Sequence, residues 1–92
     1  MTLLESANLM NNPDFRNRVK AAALQFALYV QSQPNLSNSR SRWVQQMLAQ
    51  PDAMAATLAG SVVMNINVQQ AGEAVTDQNL AAAVQVVSEL QM

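Results

Sequence analysis

Few side chains in this 92-residue sequence have the types and spacing that chemistry at a site requires. Histidine and cysteine are both absent, which removes the commonest general base, the commonest metal ligands and every thiolate. Lys20 is the only lysine, and no pattern places it beside one of the seven serines as the base of a nucleophile. The six carboxylates are scattered without the spacing of an EF-hand loop, and two glycines do not make a phosphate-binding loop. We therefore predict no enzymatic activity, no small-molecule substrate, no catalytic residue, no metal site and no cofactor.

The basic residues form the clearest charge pattern. All five lie in the first 42 residues, which carry a net charge of +3 (against Glu5 and Asp14), whereas the last 50 residues carry −4. If the two predicted helices that carry these residues lie side by side, some of the residues form a basic patch that faces DNA. That patch would consist of Arg16, Lys20, Arg40 and Arg42. The overall charge of −1 favours a solvated or salt-bridging face instead. The same polarity suits head-to-tail contacts between copies.

Helical patterns place these residues on an all-α framework. The longest pattern begins with Asn12 as a cap and Pro13 in the first turn. Its apolar residues recur at spacings of three and four, and they are Phe15, Val19, Ala22, Phe26 and Val30. We predict one compact domain, residues 1–92, built as a bundle of about five short helices around this central helix. Their predicted bounds are about residues 3–10, 13–32, 39–49, 52–65 and 77–90.

Three local features complete the framework. Thr2 begins a T-x-x-E capping box, and Thr76 caps the last helix. Residues 33–39 predict a loop in which Leu36 packs on the core, followed by a helix capped by Ser37 or Asn38. Trp43 is expected to be a core anchor rather than a ligand-stacking residue, because large aromatic side chains dominate small cores.

The stretch from Val62 to Gln69 allows two structures. Apolar and polar residues alternate there, which is the period of a strand. The preceding helix therefore either ends near Asn65, or the chain becomes extended and pairs with another chain. The sequence leaves both open.

A low charge content suggests assembly. Only 12 % of residues are charged, against roughly 25 % in an ordinary soluble domain, and nine Asn and eleven Gln supply much of the remaining polarity. Charge is depleted at the cores of protein interfaces, so we expect a homo-oligomer. The candidate interface residues are Arg40, Arg42, Leu36, Asn65, Ile66, Asn67 and Val68.

Three segments resemble small helical structural proteins of tailed bacteriophages. They are N-N-P-D-F-R-N-R-V at residues 11–19, R-x-R-W-V-x-x-M-L-A-Q-P-D at residues 40–52, and T-D-Q-N-L-x-x-x-V at residues 76–84. The resemblance implies a multicopy virion protein at the head–tail junction, in a connector, adaptor or completion role. Its implied partners are portal, capsid or tail proteins, with weak contact to packaged DNA.

Two other functions remain open at this stage. One is a capsid cement protein, which binds the outer lattice without touching DNA. The other is a small regulatory helical domain that binds DNA. No apolar run is long enough to cross a membrane, and the first residues lack the basic start of a signal peptide. We therefore expect no membrane contact, synthesis in the host cytoplasm and a final location in the virion.

Overall fold

Five α-helices form the bundle in the computed structural model, which describes residues 2–70 and 75–92, with side-chain surroundings for all of these except residues 67–70. The helices are α1 (Leu3–Met10), α2 (Pro13–Gln31), α3 (Asn38–Ala49), α4 (Pro51–Gln70) and α5 (Asp77–Gln91). The predicted all-α bundle is confirmed. Four predicted bounds differ from the observed ones by a single residue. Gly72, where the sequence predicts a break between the last two helices, lies outside the described residues.

The helices start where the sequence provides caps. The side-chain oxygens of Thr2, Asn12, Ser37 and Thr76 each accept a hydrogen bond from the backbone N–H three residues later, at 3.0–3.3 Å. Each cap satisfies one of the N–H groups that the first helical turn leaves without an intrahelical partner. Between the alternatives for α3, the cap is therefore Ser37. The start of each of these four helices is thus encoded in the local sequence.

α2 is the centre of the bundle, as predicted, and it contacts α3, α4 and α5. Its buried face differs slightly from the predicted one: Ala23 and Ala27 are fully buried, whereas Ala22 and Phe26 are half-buried. Alanine at the buried positions lets neighbouring helices come close. Phe26 lies at the side of this face, where its ring stacks on Tyr29 (centroids 6.3 Å apart) and meets the edge of Trp43 (6.0 Å).

The predicted end of α4 near residue 65 is wrong, and so is the alternative of an extended segment there. The helix continues to Gln70. Its apolar positions follow helical spacing onto the core, because Val62 and Val63 are fully buried and Ile66 is 4 % exposed, whereas Met64 is 59 % exposed. A strand would place Val62, Met64 and Ile66 on one face. The packing of one helical ridge against the core therefore determines the secondary structure of this stretch, whose local sequence pattern was ambiguous.

The connection between α2 and α3 contributes one core residue. Leu36 is half-buried and packs against the core, as predicted. Asn35 precedes it with a φ of 58°, in the left-handed region that asparagine tolerates better than most residues. This turn carries the chain from the end of α2 to the cap of α3.

Candidate interaction surfaces

The basic residues of the first half of the chain meet acidic residues of the second half. Arg18 Nη2 lies 2.8 Å from Asp77 Oδ1 and also donates to the carbonyl oxygen of Val75 at 2.9 Å. Lys20 Nζ lies 2.8 Å from Asp52 Oδ1. The basic first half and the acidic second half of the sequence are thus joined by ion pairs within the chain.

Arg40 makes the third and best-defined ion pair. Its Nη1 and Nη2 donate to Glu89 Oε2 and Oε1 at 2.7 and 3.1 Å, which is the two-pronged geometry that suits guanidinium and carboxylate. These hydrogen bonds hold the pKa of the Glu89 carboxyl below its ordinary value and raise the pKa of Arg40 further. Both side chains remain partly exposed, at 30 % and 44 %, so solvent screening keeps the contribution to stability small.

The lowered pKa of Glu89 predicts the pH dependence of this pair. A carboxyl that is more acidic in the folded state stabilises the fold above its unfolded-state pKa, and this stabilisation is lost as the pH falls through the folded-state value. We expect the wild type to melt slightly above Glu89→Gln near neutral pH. The difference should vanish well below the ordinary Glu value of 4.5. Thermal melts of both proteins across this range check it, and a difference that persists in acid contradicts it.

The remaining basic residues differ in their surroundings. Arg16 donates from Nε to the carbonyl oxygen of Met10 at 2.8 Å and from Nη2 to Asn11 Oδ1 at 3.1 Å, so it joins α2 to the end of α1. The side chain of Arg42 is exposed and makes no ion pair or hydrogen bond with the residues that the structure describes. Of the predicted DNA-facing residues, Arg16, Lys20 and Arg40 are thus held by groups of the same chain. Contact with DNA stays a prediction.

The predicted interface residues fall into different environments. Asn65 is exposed on α4, and Leu36 is half-buried. The prediction that Ile66 contacts a partner is revised, because its side chain is enclosed in the core of its own chain and is not available to a partner. The side chains of Asn67 and Val68 lie outside the described set. The contact of the remaining residues with a partner stays a prediction.

Sequence reasoning missed a groove between α4 and α5. Its volume is about 570 Å³. Its lining residues, none of them ionisable among those the structure describes, are Thr57, Gly60, Ser61, Met64, Asn65, Val87, Leu90 and Gln91. The sequence carries little signal for it, because Val87 and Leu90 lie far along the chain from Gly60 and Met64.

Large apolar side chains are also exposed elsewhere on the described surface. Besides Met64 and Leu90 in the groove, they are Leu3, Leu4, Leu28, Tyr29, Leu48 and Val86. Leu3 and Leu4 on α1 are the most exposed outside the groove. One sequence signal was available for them: two adjacent leucines on a short helix diverge by about 100°, so both cannot face the core equally.

Comparison of the chain with family models, curated proteins and solved structures gives no match. No helix among the described residues is long and apolar enough to cross a membrane. Within the same described residues, no cluster of three or more acidic side chains is placed to hold a metal ion.

Proposed function

We propose that this protein is a non-enzymatic structural component that works in multiple copies, at the head–tail junction of a tailed-phage virion. One observation supports the assembly role: large apolar side chains are exposed while most basic side chains are held by groups of the same chain. Two of these apolar side chains, Met64 and Leu90, line the same groove, and contiguous exposed apolar surface commonly marks protein–protein contacts. The virion location is supported by the resemblance of the three sequence segments to phage structural proteins.

The non-enzymatic part of the proposal is supported by the surroundings of the few reactive groups. Lys20 would be the base of a serine–lysine pair, but its ammonium group lies 2.8 Å from Asp52. The ammonium group donates its hydrogen bond to this carboxylate and to no serine hydroxyl among the described residues. A nucleophile of this kind would therefore lack its activating group.

Native mass spectrometry across a range of protein concentrations tests the assembly role. We expect a closed oligomer of defined copy number. Because large apolar side chains supply much of the exposed surface expected at its contacts, the oligomer should weaken only slightly with added salt. A protein that stays strictly monomeric at every concentration contradicts self-assembly. Binding of duplex DNA that weakens steeply with salt would instead support the regulatory DNA-binding alternative.

Arg42 allows a sharper test of the predicted interface. Because the Arg42 side chain has no partner among the described residues, Arg42→Glu leaves none of their charges unpaired. We expect the substitution to weaken association through the predicted interface. The control is the double exchange Arg18→Glu with Asp77→Arg, which reverses an ion pair outside the predicted interface while keeping opposite charges together. Equal association of Arg42→Glu and wild type in native mass spectrometry would mean that Arg42 belongs to a solvated face.

A further inference from the structure

α1 contributes little to the apolar core of the bundle. The buried apolar side chains of the described residues all lie between Phe15 and Val87, so none belongs to α1. Leu9 and Met10, at the end of α1, are only partly buried and pack against that core, while Leu3 at its start is 86 % exposed. Because packing of an apolar face supplies most of the stability of a helix in a protein, α1 is held more weakly than the other four helices.

The one buried residue of α1 is polar. Ser6 is 3 % exposed, and its hydroxyl has no hydrogen-bond partner among the described residues. Ser6 and Met10 lie four residues apart and share a face of α1. That face is turned towards α4, since a Cβ atom placed on Gly60 would lie 3.8 Å from Met10 Sδ. A buried hydroxyl without a partner is destabilising until water reaches it, so this contact includes a group that favours opening.

Among the described residues, polar links between α1 and the other helices are confined to its end. Arg16 donates from Nε to the Met10 carbonyl oxygen at 2.8 Å and from Nη2 to the side chain of Asn11, which follows α1, at 3.1 Å. Glu5, the one charged residue of α1, bonds with Thr2 in the capping box and makes no ion pair with the described residues. Arg16 is therefore the latch that holds α1 to α2.

The other four helices are joined to one another independently of α1. α2 contacts α3, α4 and α5, and α4 also contacts α3 and α5. Three ion pairs link these helices, and they are Arg18–Asp77, Lys20–Asp52 and Arg40–Glu89. Loss of α1 therefore leaves the core and these links in place.

We propose that α1 is a strap, a short helix that leaves α4 and unravels in one step while α2–α5 stay folded. A helix of eight residues is too short to persist alone in water, so release and unravelling coincide. Opening removes Met10 from Gly60, which also lines the α4–α5 groove. The strap therefore sets how much of α4 beside the groove is accessible. The inference concerns a single copy and stands or falls independently of the assembly role.

Native-state hydrogen exchange, followed by NMR at low urea concentrations, separates opening of α1 from global unfolding. We expect the hydrogen-bonded amides of α1 to share one opening constant, roughly 100-fold or more above that of the amides in the middle of α2. Low urea should change it little, because opening exposes little surface. Protection of α1 equal to that of α2, or protection that falls off residue by residue towards Leu3 as in fraying, overturns the proposal.

Ser6→Ala should close the strap. Removing the unpartnered hydroxyl should lower the opening constant of α1 roughly tenfold, whereas the better helix propensity of alanine alone accounts for about two- to threefold. Its control is Ser88→Ala, at a buried serine of α5 whose hydroxyl likewise has no partner among the described residues. The control should change global stability and leave opening of α1 unchanged. A threefold or smaller effect of Ser6→Ala, or an equal effect of the control on α1, contradicts the proposal.

Two further variants should open the strap. Arg16→Met keeps the apolar stem and removes the donors, so the opening constant of α1 should rise roughly tenfold. Its control is Lys20→Met, since Lys20 pairs with Asp52 on α4 and bonds no residue of α1. Ser6→Asp buries a carboxylate and should release α1 completely, while α2–α5 keep their protection. Unchanged exchange in Arg16→Met refutes the latch, and loss of the whole fold in Ser6→Asp refutes the strap.

Discussion

Replacing Trp43 by alanine should lower the free energy of unfolding by about 3–5 kcal/mol. The indole is only 3 % exposed, and its ring meets the edge of Phe26 at 6.0 Å between centroids. The substitution removes the largest side chain of the core and leaves a cavity between α2 and α3. A chain of this length is stable by roughly 5–14 kcal/mol, so the loss is a large part of the total. Urea denaturation monitored by circular dichroism measures it.

Trp43→Phe is the matched control, because it separates packing from hydrogen bonding. Trp43 Nε1 is buried and has no hydrogen-bond partner among the described residues, so phenylalanine sacrifices no such bond. We expect this variant to lose no more than about half as much stability as the alanine variant. Equal losses for the two variants would contradict this expectation, because the phenyl ring would then replace none of the packing that the indole provides.

Ile66→Ala should cost about 2–5 kcal/mol, whereas Met64→Ala should change stability by about 0.5 kcal/mol or less. The difference follows from the helical course of α4: Ile66 is 4 % exposed in the core, while Met64 is 59 % exposed. If the segment were a strand, the two side chains would share one face and would have similar surroundings.

The same denaturation experiment decides between the two structures of this segment. Comparable losses for Ile66→Ala and Met64→Ala would contradict the helix. The pair should be measured at low protein concentration, since Met64 also lines the α4–α5 groove and its substitution is expected to affect contacts between copies. Stability and association are then read separately.

The helix starts were the most predictable part of this protein. Thr2, Asn12, Ser37 and Thr76 act on backbone groups three residues away, so their effect is written in adjacent sequence. The end of α4 was not predictable in the same way. Alternation after Val62 resembles a strand, and only the burial of Ile66 against other helices shows that the helix continues.

The candidate surfaces were far less predictable than the helices. The ion pairs Arg18–Asp77 and Arg40–Glu89 join residues from opposite halves of the chain, and no local pattern indicates which charges meet. The α4–α5 groove likewise brings together Gly60 and Leu90, which lie far apart in the sequence, so no local pattern indicates it. Sequence reasoning identified the basic residues as candidates for DNA contact without revealing that Arg16, Lys20 and Arg40 are held by groups of the same chain.

The all-α class, the number of helices and the caps Thr2, Asn12 and Thr76 follow from the sequence alone, because helical periodicity and capping act over three or four residues. The low charge content and the lack of His and Cys are matters of composition. Which charges pair, how far α4 extends, and that Leu3, Leu4 and the groove stay exposed depend on the tertiary structure. Those features depend on which helices pack together, and packing joins residues that are distant in the chain.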